Sequence, residues 1–145
     1  SFAERNTNFF TVGPRVDYRA LDWLTLTLTH LYERGLADGH KDTQFADDVS
    51  YYLHMVSAGT EFRLNRQWDL GFTYIHRRKT FTGGVAGDTH VGRFDATHQG
   101  IAELRYHMSA AATVMLSFQY GKRTSTNALR DFQDSILSIG GQYRF

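Results

Sequence analysis

One short run constrains this chain more than any other: Trp23-Leu24-Thr25-Leu26-Thr27-Leu28-Thr29-His30. Leucine and threonine alternate with a period of two. A β-strand sends successive side chains to opposite faces, so this run has one greasy face and one hydroxyl face. A helix would mix the two, and β-branched Thr disfavours it.

The same period recurs six more times, around Phe10–Arg19, Tyr51–Leu64, Trp68–Lys79, Thr97–Met108, Ala110–Arg123 and Phe132–Phe145. In Trp68–Lys79, for example, Trp68, Leu70, Phe72 and Tyr74 oppose Asp69, Gly71, Thr73 and Arg77. The connections alternate in length. Those near Ala20–Asp22, Asn65–Gln67 and Ser109 are short, whereas Gly35–Asp48, Thr82–Asp95 and Thr124–Asp131 are long and polar. The expectation is an all-β fold of seven visible up-and-down antiparallel strands, in a single domain covering 1–145.

Alternation alone does not say which face points inward. Three features favour an apolar face turned outward, toward lipid. The polar face mixes Gly, Ser and Thr with charges of both signs, as a water-filled lumen does. Aromatics gather near the ends of the apolar stripes: Tyr18, Phe62, Trp68, Tyr106, Tyr143 and Phe145 toward the short turns, Tyr32, Tyr52, Tyr74 and Tyr120 toward the long loops. Two such girdles mark membrane–water interfaces. Short turns at one end and long loops at the other match transmembrane barrels, and only a closed barrel satisfies strand hydrogen bonds in lipid. Composition agrees: aromatics make up 14% of residues, no apolar run approaches a spanning helix, and a net charge of +1 gives no pull toward nucleic acid. With no Cys, disulfides and thiol nucleophiles are excluded.

The chain ends Gly140-Gly141-Gln142-Tyr143-Arg144-Phe145. With Leu137 and Ile139, that ending resembles the C-terminal strand of Gram-negative outer-membrane β-barrel proteins, which are porin-like. The resemblance implies the bacterial outer membrane, contact with the lipid bilayer and lipopolysaccharide, and an assembly signal at Tyr143 and Phe145 read by the barrel-assembly machinery. With the last strand running inward, seven strands put Ser1 outside. The expectation is therefore either an eighth strand within Ser1–Asn8 or, preferred, the C-terminal portion of a larger barrel whose edges take further strands.

The charges expected to line the lumen are Arg15, Asp17, Arg19, Glu61, Arg63, Asp69, Arg77, Lys79, Glu103, Arg105, Arg123, Asp134 and Arg144. Most read as ion pairs across strands. Arg77, Lys79 and Arg123 lie nearer the outer mouth without obvious acidic neighbours, and are the candidates for attracting anions. His30, His54, His76 and His98 share the apolar parity. They read as an interfacial belt facing lipid headgroups, with a metal held between His54 and His76 as the lesser reading. Asp38, Asp42, Asp47 and Asp48 read as solvated loop acids rather than Ca²⁺ ligands. Ser50 and Ser57 neighbour His54 without the context of a nucleophile, and Gly83–His90 lacks the Lys-Ser/Thr of a phosphate loop, so no enzyme and no cofactor is expected. The expected function is a passive channel or porin for small solutes or surface polysaccharide. The alternatives are a scaffold or sheath around a partner such as a multihaem cytochrome or lipoprotein, and a soluble calycin-like carrier.

Overall fold

A computed structural model describes residues 7–37, 50–83 and 90–144. It is all-β. The strands are β1 (Thr7–Val12), β2 (Arg15–Leu21), β3 (Leu24–Ala37), β4 (Tyr51–Arg63), β5 (Trp68–Phe81), β6 (Phe94–His107), β7 (Ala112–Ser125) and β8 (Phe132–Tyr143). One 3₁₀ turn, Ala128–Arg130, precedes β8. Each long strand pairs antiparallel with the next, giving the order β1-β3-β4-β5-β6-β7-β8, with β2 also on β3. Among the described residues the sheet is open, and the up-and-down order is consistent with a barrel wall.

Among the described residues the eight strands fill seven positions in the sheet, because β1 and β2 are one strand interrupted. Val12 faces Tyr32 and Arg15 faces Thr29, so the register does not change between them. The break falls at Gly13-Pro14. Pro14 has no N–H to give the ladder, which an edge strand tolerates. Its carbonyl still accepts from the His30 N–H at 3.0 Å. A Cβ on Gly13 would collide with the His30 carbonyl oxygen, so only glycine permits this close approach.

Short turns set the register of their hairpins. The Asn65 Oδ1 accepts from the N–H groups of Gln67 (2.8 Å) and Trp68 (3.1 Å). That side-chain turn fixes Arg63 opposite Asp69. The Ser109 hydroxyl similarly accepts from Ala111 and Ala112 before β7.

The sheet has no conventional core. Among the described residues Phe81 is the single buried hydrophobic side chain, and no large side chain is fully buried. Coverage alternates with the pleat in an unusual sense. On β7, Leu116, Phe118 and Tyr120 are exposed, whereas Ser117, Gln119 and Arg123 are partly covered and Gly121 is buried. β3 repeats this: Leu26, Leu28 and His30 are exposed, and Thr25, Thr27 and Thr29 are partly covered. In the central strands the polar face is the more sheltered one; the edge strands β2 and β8 are exposed on both faces. A one-sided sheet packed in water shows the opposite.

Candidate functional site: a charged face and an apolar face

The register carries each parity class across the whole sheet, so the two faces can be read separately. Arg15, Asp17, Arg19, Glu61, Arg63, Asp69, Arg77, Lys79, Glu103, Arg105, Arg123 and Asp134 all fall on the sheltered polar face. Arg144, one residue past β8, continues that parity.

Three groups of contacts run along this face. Toward the short turns, His107 is fastened at both ring nitrogens: Nε2 lies 2.8 Å from Asp69 Oδ2 and Nδ1 lies 3.0 Å from Thr113 Oγ1. Arg63 reaches Asp69 at 4.0 Å. In the middle, Arg105 donates to Glu61 at 2.9 Å and also to Glu103, so one guanidinium joins β4 and β6 across β5. The gap is bridged where Gly71 on β5 presents no side chain between Glu61 and Glu103. Beside it, Arg15 forks onto Asp17 (2.8 and 2.9 Å), which also accepts from Thr27 at 2.7 Å. Arg19 pairs instead with Asp22 in the adjoining turn at 3.2 Å.

Toward the long loops, Asp95 is the hub. It accepts from Arg93 at 2.8 and 3.1 Å, from Ser125 at 2.5 Å and from Arg123. Asp95 and Arg93 are only 5% and 7% exposed, so this is the most desolvated charge group described. Tyr51 donates to Glu33 at 2.6 Å, its ring covers Gly35, and the Lys79 ammonium sits 3.6 Å from the ring centre. Arg123 therefore does have an acidic partner, contrary to expectation. Alternation alone starts that strand at Thr97, with Asp95 in the preceding loop. β6 starts at Phe94, which places Asp95 in the ladder opposite Lys79 and Ser125. Glu33, Tyr51, Arg93 and Asp95 escape the sequence reading for want of clean alternation at strand ends, whereas alternation puts His107 on this face without marking it as a site residue.

The other face carries Tyr18, Phe62, Trp68, Tyr74, Tyr106, Tyr120 and Tyr143. Trp68 packs on Tyr106 with ring centres 4.6 Å apart. Four of these rings follow a slope. The hydrogen-bonded row of Tyr18 passes through Leu26, Thr60, Phe72, Ala102, Phe118 and Leu137. Phe62, Tyr106 and Tyr143 lie two, four and six residues from that row, after two, four and six strand-to-strand steps. One residue per strand corresponds to a strand tilt of about 35°, from a rise of ~3.3 Å and a spacing of ~4.8 Å. Phe145 and the acids Asp38, Asp42, Asp47 and Asp48 lie outside the described residues, as does most of the Gly83–His90 loop.

The histidines share the apolar parity, but one pairing differs from expectation. His54 faces Arg78, and His76 faces His98, with ring centres 4.6 Å apart. Centring the turn on Asn65 placed His54 against His76; the Asn65 side-chain turn moves the centre to Arg66 and shifts the pairing by two residues. His30 and His54 form a second pair at 5.9 Å. Among the described residues no cluster of three or more metal-ligating side chains occurs. Ser57 takes the opposite face from His54. No protein-family model, curated protein or solved structure matches the chain.

Proposed function

We propose that this chain forms the wall of a transmembrane β-barrel in the outer membrane of a Gram-negative bacterium. Its polar face would line a passive channel for small solutes or exported polysaccharide. The observation that carries the reading is the inverted shelter of the sheet. In the central strands Leu28, Phe72 and Phe118 are 54%, 47% and 47% exposed, while Thr27, Thr73 and Ser117 on the polar face are partly covered. Such a sheet is at ease only with lipid on its apolar side and water on its polar side. Among the described residues toward the long loops of this face, Arg77, Lys79, Arg93 and Arg123 stand against Glu33, Asp95 and Asp134, a small cationic excess that favours anions. Tyr143, with Phe145, would be the handle for the barrel-assembly machinery.

Planar-bilayer recording of the full chain tests this. A steady, anion-preferring current is expected, and Lys79→Glu with Arg77→Glu should reverse the preference. Insertion without any current would favour instead a sheath closed around a protein partner such as a cytochrome or lipoprotein. A chain that stays in buffer without detergent would overturn both and favour a soluble carrier.

A further inference from the structure

The apolar face is not evenly filled. On β5, Phe72 and Tyr74 stand as a ridge, and on β7, Phe118 and Tyr120 stand as another. Between them β6 offers only Gly100 and Ala102. The result is a trough floored by β6 and walled by aromatic rings, part of a cavity of about 660 Å³ on this face. That cavity also takes in a parallel groove over Ala58 and Thr60 of β4, so the β6 trough is one part of a space in the small-molecule range, about 300–1,000 Å³. A Cβ built on Gly100 meets nothing within 4 Å, so the absence of a side chain there is not required by packing.

One row further toward the long loops, the chemistry changes. Tyr74, Gly100 and Tyr120 are followed by His76, His98 and Lys122, themselves adjacent across the strands. Arg78 lies in the next row. The Tyr74 hydroxyl lies 2.6 Å from His98 Nδ1; when it donates, the Nε2 of His98 carries the proton and is a donor. Every Asp and Glu in the described strands falls on the opposite face. Asp131, beyond β7, is engaged by the Ser125 N–H at 2.6 Å. A carboxylate-free, cationic and imidazole-bearing row thus caps an apolar trough.

We infer that this trough binds one amphiphile: a lipid with a phosphate headgroup, its acyl chain lying along Gly100 and Ala102 and its phosphate held by His76, His98 and Lys122. The inference rests on the membrane reading above and deepens it by giving one lipid a defined seat. Charge complementarity selects the headgroup, because phosphate accepts from the Lys122 ammonium and from imidazole N–H groups, while every Asp and Glu of the described strands lies on the other face. The groove selects the chain, because a bilayer-facing surface of uniform height would hold no single lipid.

The test titrates dodecyl phosphate calorimetrically into the full chain in uncharged maltoside micelles, with dodecanol and inorganic phosphate as comparators. Dodecyl phosphate should bind at least about tenfold more tightly than either. Gly100→Leu, which fills the trough, and His98→Gln/Lys122→Gln, which strips the headgroup row, should each weaken it about tenfold. Ala102→Leu serves as a second trough filler should the first fail to fold. Gln99→Ser, on the polar face, should change nothing. Equal binding of dodecanol, equal binding of inorganic phosphate, or indifference to both trough fillers would overturn the inference. No binding by a chain that still conducts would overturn it alone; a chain soluble without detergent would overturn the reading beneath it.

Discussion

At the scale of single residues, the glycines separate cleanly by what surrounds them. Gly13 has the β3 backbone where a side chain would go, and Gly100 has open space. Gly13→Ala should therefore destabilise the sheet by more than about 1 kcal/mol, because the strand must move off its neighbour. Gly100→Ala should stay within about 0.5 kcal/mol of the parent, as an unobstructed surface change. Urea unfolding of both variants in the same lipid or detergent checks the contrast. Asp95 is the other residue with disproportionate weight. Asp95→Ala would leave Arg93 and Arg123 facing one another without their shared anion, and should cost about 3 kcal/mol, the penalty of an orphaned buried charge. Asp95→Asn should cost less, since the amide oxygen still accepts. The same titration decides, and equal losses would show that charge rather than hydrogen bonding holds the cluster.

At the scale of elements, the hairpin between β4 and β5 is set by one amide. Asn65→Ala removes the acceptor for two backbone donors and should cost about 1 kcal/mol. The register itself is open to a direct check, helped by the absence of native cysteine. The Val56→Cys/His76→Cys pair should form a disulfide readily, because those residues face each other. His54→Cys/His76→Cys sits on a diagonal, beyond the Cα separation of about 7 Å that a disulfide spans, and should not. The contrast also shows where sequence reading succeeds and stops. Period two located every long strand and its two faces, because the pleat imposes that period on any sheet with unlike sides. It did not place the turn centre, because that depends on which acceptor captures which N–H at Asn65. Nor did it see that Pro14 interrupts the first strand, since the interruption leaves the register and the alternation intact. Strand ends were hardest. Asp95, Arg93 and Glu33 sit where apolar alternation has faded, and only the ladder shows they belong to the charged face.

At the scale of the whole molecule, the two faces predict opposite tolerance to charge. Phe72→Arg, centred on the apolar face, should cost about 2–4 kcal/mol in a bilayer, as a cation at mid-depth does. Thr73→Arg, one residue along but on the polar face, should cost far less. Folding titrations into vesicles compare the two, and equal penalties would contradict the assignment of sides. The sheltering of the polar face in the central strands could not be read from alternation, which is symmetric between the two possibilities; it emerges only when the strands stand side by side.

The sloping line of rings through Tyr18, Phe62, Tyr106 and Tyr143 has a geometric consequence. If those rings mark one depth, a row of hydrogen-bonded neighbours is not a contour but a ramp. Walking along the row from Tyr18 to Leu137 climbs six residues relative to the rings. At a rise of ~3.3 Å per residue and a tilt of about 35°, that is about 16 Å, over half of an apolar band about 25 Å tall. The sheet thus carries its own depth gauge. Spin labels placed at Leu26, Phe72, Phe118 and Leu137, all on one ladder row, should report positions steadily farther from the interface the rings mark, with the midplane passed near Phe118.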